Sequence, residues 1–269
     1  ASLVGSEMCI RDRLRIRKER TDNVSVRITS VDKGSPADKA RIKAGESLVS
    51  INGNAIHDIL DYQFYASDKK LVIELEDKTV KVRKGEYDDL GLNFETYLMD
   101  CKQHCKNNCV FCFINQLPKG MRETLYFKDD DSRLSFLQGN FVTLTNLTDE
   151  DVQNVIQRNM SPMNVSVHAV SPDVRRRMMG RNAQRGMDVL EAIMAAGIEI
   201  HAQIVLCPGM NDGEELEKTL RFCEEHEQIT SLGIVPLGFT KHQNRFSWSY
   251  SDKPELARET IAMIRPFQD

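Results

Sequence analysis

The stretch CKQHCKNNCVFCF, from Cys101 to Phe113, carries four of the chain's seven cysteines. A disulfide framework spreads its cysteines along a chain, whereas local bunching points to metal binding or catalysis. The spacing is C-x3-C-x3-C-x2-C, and three fillings compete for it. Zinc held by four cysteines ordinarily uses two knuckles separated by roughly a dozen residues or more, so one short loop closes a tetrahedron awkwardly. A fully cysteine-ligated iron–sulfur cluster suits a compact spacing and would serve electron transfer. The third filling omits Cys101 and keeps Cys105, Cys109 and Cys112 as C-x3-C-x2-C. Three thiolates on a four-iron cube leave one iron open, and an open position is what chemistry requires.

Other residues stand near enough in sequence to take part. Phe127 to Arg133 (FKDDDSR) gathers three carboxylates, either in a solvated turn or, given its place after the cysteines, at a substrate or cofactor site. Lys119, Arg122 and Lys128 would bind an anionic group or balance those aspartates. Cys101, Cys207 and Cys223 have no partner in sequence. Cys223 falls in an amphipathic helical pattern and reads as a small buried apolar residue.

The elements that must position these groups fall into two rhythms. VSVRITSV alternates as a half-buried strand, Ser35-Pro36 opens a short helix, SLVSI is a strand, and Asn52-Gly53 signals a hairpin. DILDYQFYASD has helical spacing, and KLVIELED and KTVKVRKGE are alternating strands. Together they predict a small β-rich module. From Gly91 onward, strand-like runs (GLNFETYL, NFVTLTNL, NVSVHAV, EIHAQIVL, SLGIVPLG) alternate with helical patterns (DEDVQNVIQRNM, PDVRRRMMG, GMDVLEAIMAAG, GEELEKTLRFCEEHE, KPELARETIAMI). That alternation predicts an α/β unit of parallel strands with helical crossovers. About six strands fit, which favours a barrel or partial barrel with ligands at the C-terminal strand ends. The cysteines then follow the first strand, HAV follows the strand from Val165, and CPGMND follows the strand ending at Leu206.

Composition limits the function classes. A net charge of −4, with 28% charged residues, gives no nucleic-acid or membrane signal, and no apolar run approaches the roughly 18 residues of a membrane span. With no secretory h-region near the start, the expected location is the cytoplasm. ASLVGSEMCIRDR resembles a translated sequencing adapter, so residues 1–13 are set aside. ETIAMIRPFQD stops just past a helical pattern, as in a fragment cut short.

Two resemblances follow from quoted motifs. VDKGSPADKARIKAGESLVSINGNAI resembles the bacterial PDZ pattern, with Arg41-Ile42-Lys43 in place of Ala-Gly-Ile and Glu46 in place of Asp. The resemblance implies a PDZ-like domain over residues 23–90. It would bind a peptide or protein C-terminus by strand addition, or serve only as a packing domain. LGLNF (Leu90 to Phe94) is either a displaced carboxylate-binding loop or the first strand of the next domain. CKNNCVFC resembles the radical SAM signature, aromatic included. It implies a radical SAM-type partial (β/α) barrel over residues 91–269, with a [4Fe-4S] cluster on Cys105, Cys109 and Cys112.

The same resemblance implies S-adenosyl-L-methionine as cofactor, reductive cleavage to a 5′-deoxyadenosyl radical, and an electron donor such as flavodoxin or ferredoxin. Phe111 would cover the cluster near the adenine. Gly139-Asn140 stands nearest to the glycine loop that holds the cofactor's amino group, although the usual Gly-Gly-Glu is absent. Ser166 or His168 would face the cofactor, His168 being otherwise a core histidine, and Gln203 would point toward the site if alternation holds. The PDZ-like module, the long cysteine block, SVHA and QIVLCPGMNDGEEL together resemble the bacterial domain-of-unknown-function 512 family, whose reaction is unassigned; the resemblance implies an iron–sulfur oxidoreductase of radical SAM type and a further C-terminal domain beyond Asp269. The alternatives are an electron-transfer iron–sulfur protein and a peptide-binding protein without such chemistry.

Overall fold

The computed structural model describes residues 25–268, which fall into two compact units divided between Lys102 and Gln103. The stretch read as adapter-derived lies outside the described residues.

The first unit is an antiparallel sheet with short helices. Its elements are β1 (Val26–Val31), α1 (Pro36–Lys39), β2 (Ser47–Ile51), β3 (Asn54–Ala55), α2 (Ile59–Tyr65), β4 (Lys70–Leu75), β5 (Thr79–Arg83) and β6 (Leu92–Phe94). The strand order is β5-β4-β2-β1-β6, with β3 paired to β2. Local chemistry explains the boundaries. Ser35 Oγ accepts the Asp38 N–H at 3.1 Å and Pro36 takes the first helical position of α1. Asn52 and Gly53, at φ 53° and 79°, form the tight turn between β2 and β3. The Asp58 carboxylate caps α2 by accepting from the Leu60 and Asp61 N–H groups. Ile28, Leu48, Ile51, Ile56 and Ile73 are fully buried between sheet and helices.

GLNFETYL does not start the second unit. Leu92 pairs with Val31 and Phe94 with Ile28, so this segment is the edge strand of the first sheet. Gly91 makes the pairing reachable. Its φ is 81°, its carbonyl accepts from Asp32 N at 2.9 Å, and a Cβ there would fall 2.3 Å from that of Ser35. Only glycine fits so close an approach.

The second unit contains α3 (Ser132–Gln138), α4 (Asp149–Gln157), β7 (Met163–Ser166), α5 (Pro172–Met179), α6 (Ala183–Ala195), β8 (Ile200–Leu206), α7 (Glu214–Glu225), β9 (Ile229–Pro236) and α8 (Pro254–Ile264). β7, β8 and β9 form a parallel sheet with helical crossovers, as the alternating pattern predicts. The described strands are fewer than six. Val142 makes only an isolated parallel bridge to Val165. NFVTLTNL fails to continue as a strand because Leu144 adopts φ 60° and the Thr143 N–H turns to the Asp130 carboxylate instead of a ladder. β8 alternates strictly. Ile204 and Leu206 pack toward α7 and α8, and Val205 faces the other way. No described helix is long and apolar enough to cross a membrane.

Candidate functional site

The loop that carries Cys105, Cys109 and Cys112 is fixed by its backbone and not by a preceding sheet strand. Cys105 N donates to Lys128 O at 2.8 Å, Asn108 N to Met179 O at 3.2 Å and Val110 N to Met178 O at 2.8 Å. The last two contacts dock the loop on the C-terminal end of α5. Cys109, Phe111 and Cys112 then pack with Ala169, Met178, Ala183, Val205 and Cys207, residues that follow β7, stand at or just past the end of β8, or belong to the helices between them. The loop therefore sits at the C-terminal ends of the parallel strands, where α/β units place their ligands.

Side chains lock the loop from the other flank. Asn107 Nδ2 donates to Thr143 Oγ1 at 3.0 Å and to Thr145 Oγ1 at 2.7 Å. Thr143 donates to Asp130 through both N (2.6 Å) and Oγ1 (2.7 Å). Asp130 and Asp131 are buried, so FKDDDSR is no solvated turn. Asp131 caps α3 and forms a 2.7 Å ion pair with Arg133. Nearby, the buried acceptors Asp129 Oδ1 and Asn146 Oδ1 have no hydrogen-bond partner.

Electrostatics tie the three thiols together. Burial, then the Asp130 charge, pushes Cys105 up to about 11. Burial, then the charges of Cys105 and Cys112, pushes Cys109 up to about 12, with Lys128 pulling the other way. Thiolates at neutral pH therefore require a cation at the site. No three His, Cys, Asp or Glu side chains among the described residues converge on a single-ion position. The donor set, a buried Cys109 flanked on one loop by the half-buried Cys105 and Cys112, fits a larger, polynuclear group. Cys101 belongs to the first unit and is not among the free cysteines.

The structure brings together most of the remaining candidates. The rings of Phe111 and His168 lie 4.5 Å apart at 60°. His168 Nδ1 accepts from Val205 N at 3.1 Å, so the proton of the neutral ring is on Nε2. Complete burial, then the Arg175 charge, depresses His168 to about 3. Ser166 ends β7 opposite Gln203. Gln203 shares the face of Val205, which packs beside the cysteine loop, so the alternation holds.

Gly139 and Asn140 do not join this group. Gly139, at φ 75°, is the left-handed cap of α3, and Asn140 donates to Asp129 at 2.7 Å. Both precede Val142, at the opposite end of that segment from Thr143 and Thr145. The residues missed by sequence reasoning are Thr143, Thr145 and Asn107, whereas Asp130 belongs to the carboxylate group FKDDDSR that the sequence offered as a substrate or cofactor site. The signal for the two threonines was the alternation in VTLT, where Val142 and Leu144 are buried apolar residues.

Comparison with protein families matches residues 84–232 to a radical SAM-like domain and residues 27–77 to a PDZ domain. The first match begins before β6, so its leading residues fold with the PDZ-like sheet. A comparison with curated proteins finds no match.

Proposed function

The chain belongs to the radical SAM-like family, which matches more than half of its length, and from that membership we propose an iron–sulfur enzyme that cleaves S-adenosylmethionine. Cys105, Cys109 and Cys112 would hold a four-iron cluster, and β7, β8 and β9 with the Val142 segment would form one arc of a partial barrel around it. When bound and reduced, such a cluster would supply the one-electron reductive cleavage of S-adenosylmethionine that starts radical chemistry on a substrate.

The observation that carries this reading is the cysteine loop at the C-terminal ends of parallel strands, with Phe111 and His168 packed beside it. The protein's part is to place and shield. Phe111 and the neutral His168 supply an apolar wall that keeps water from the open side. Ser166 and Gln203 offer polar groups on the same strand ends. The unpartnered acceptors Asp129 Oδ1 and Asn146 Oδ1 suit an ammonium donor, the role first assigned to Gly139 and Asn140. The Asn107–Thr143–Asp130 network holds the loop rigid, which fixes the thiol positions.

Anaerobic reconstitution tests the reading. About one four-iron cluster per chain is expected, lost in the Cys105→Ala, Cys109→Ala and Cys112→Ala proteins. Cys101→Ala should retain it. Loss on Cys101→Ala as well would favour the electron-transfer alternative.

The PDZ-like unit supports a second, separate reading, recruitment of a peptide. β6 is the sheet edge, and its Phe94 meets Tyr62 of α2 edge-on at 5.1 Å, so an added strand would lie between β6 and α2.

A further inference from the structure

Arg175 is a buried cation with no ion-pair partner among the described residues, although the Asp188 charge acts on it from beyond contact. It is 1% exposed. Its guanidinium donates only to backbone carbonyls: Val167 O, Ala169 O at 2.9 Å, and Ala183 O at 3.1 and 3.0 Å. Arg176 and Arg185 each reach an aspartate at the surface, whereas Arg175 reaches none among the described residues. Carbonyl dipoles satisfy its N–H groups but do not cancel its charge, and a buried charge without a contacting counter-ion is destabilising. Burial lowers it to about 10, which leaves it cationic at neutral pH.

Its position is specific. Ala169 and Ala183, which accept from it, pack in the same cluster as Cys109, Cys112 and Phe111. One turn beyond Arg175, α5 presents the Met178 and Met179 carbonyls that dock the cysteine loop. A Cys109 thiolate, once formed, would act on the guanidinium, as the Asp188 carboxylate does. α6 also makes room. A Cβ at Gly186 would lie 3.2 Å from Arg175 Nη2 and 2.6 Å from Thr143 O.

We infer that Arg175 is the built-in counter-charge of the cysteine-held cluster and sets how readily that cluster accepts an electron. The inference rests on the cluster reading above. Three thiolates outweigh the positive charge of an oxidised four-iron core, and reduction adds one further negative charge. Net charge and burial are among the determinants of cluster potential, and a fixed cation in a low-dielectric site favours the more negative, reduced state. In the cluster-free chain Cys109 is a neutral thiol and Asp188 makes no ion pair with the guanidinium, so cluster binding should stabilise the fold by adding the missing negative charge.

The test is an EPR-monitored redox titration of the reconstituted full chain, comparing the wild-type protein with Arg175→Gln and Arg175→Lys at equal cluster content. The expected result is a lower midpoint potential in Arg175→Gln and a near wild-type potential in Arg175→Lys, which keeps the charge but not the fork of donors. Thermal unfolding with and without cluster gives a second readout. The stabilisation on cluster binding should shrink in Arg175→Gln and persist in Arg175→Lys. An Arg175→Gln protein that binds cluster with unchanged potential would overturn the inference and leave the cluster reading intact. If Arg175→Gln fails to fold, Arg175→Lys decides alone. A folded, loaded lysine variant with a clearly lowered potential would assign Arg175 to scaffold geometry. A wild-type chain that takes up no cluster would remove the underlying reading itself.

Discussion

Phe111, just before the last cysteine of the loop, lies 4.5 Å ring to ring from His168, which sits two residues beyond the end of β7. This contact joins the cysteine loop to the strand ends and depends on a histidine that stays neutral. Buried beside Arg175, His168 is depressed to about 3, below its unfolded value of about 6.5. The unfolded chain therefore binds a proton that the folded ring refuses. The stability associated with the neutral ring is complete above pH ~6.5 and is lost as pH falls from there toward 3, by up to ~1.4 kcal/mol per pH unit. Urea midpoints between pH 7 and 4.5 should fall less steeply in His168→Gln than in the wild-type chain. Parallel slopes would contradict the assignment.

Gly186 predicts a reversal of helix propensity. Alanine is the better helix former by about 1 kcal/mol. Here, however, its Cβ would meet the Thr143 carbonyl at 2.6 Å, and backbone cannot yield as a side-chain tip does. Gly186→Ala should destabilise the chain by ~1–3 kcal/mol in chemical denaturation. A gain in stability would show that the α6 contact is looser than described.

Asp131 anchors the FKDDDSR segment, for which the sequence alone leaves a solvated turn and a ligand site both open. It is fully buried, accepts from Gln103 N at 2.9 Å, caps α3 and pairs with Arg133. Despite burial, which raises it, these partners hold its carboxyl below the ordinary value. Its contribution is present at neutral pH and is lost only as pH drops below about 4. Asp131→Ala should cost about 3 kcal/mol at pH 7, because it strips the carboxylate from a buried guanidinium and removes a cap. A loss below ~1 kcal/mol would refute that view.

How much of this was legible in the sequence depended on whether neighbours in sequence were neighbours in space. Ser35-Pro36, Asn52-Gly53 and the alternation of β4, β5 and β8 set their elements locally, and the structure keeps them. The cysteine spacing and the adjacent Phe111 were equally local. GLNFETYL carried a strand pattern that fits either unit, and only the close approach of Gly91 to Ser35 decides its partner. FKDDDSR left a solvated turn and a ligand site both open because burial of Asp130 and Asp131 depends on Thr143 and Arg133, whose positions no local pattern reveals. Gly139 resembled a ligand loop, yet a left-handed helix cap uses glycine for the same conformational reason. Arg175, in a run of three arginines, gave no sign that it alone turns inward.

The PDZ-like unit offers a separate check. If the edge of β6 recruits a peptide, the full chain should bind peptides with a free C-terminal carboxylate more tightly than their amides, measured by fluorescence anisotropy. Phe94→Ala should weaken that binding. Equal affinities would favour a packing role.

The central claim is that three thiolates of one loop hold a cluster with an open iron for S-adenosylmethionine. Its most direct measurement is product analysis by chromatography after dithionite reduction of the reconstituted chain with S-adenosylmethionine under anaerobic conditions. The account predicts slow formation of 5′-deoxyadenosine and methionine, absent in Cys109→Ala. A fully loaded and reduced cluster that yields neither product, with an EPR spectrum unchanged by S-adenosylmethionine, would contradict it.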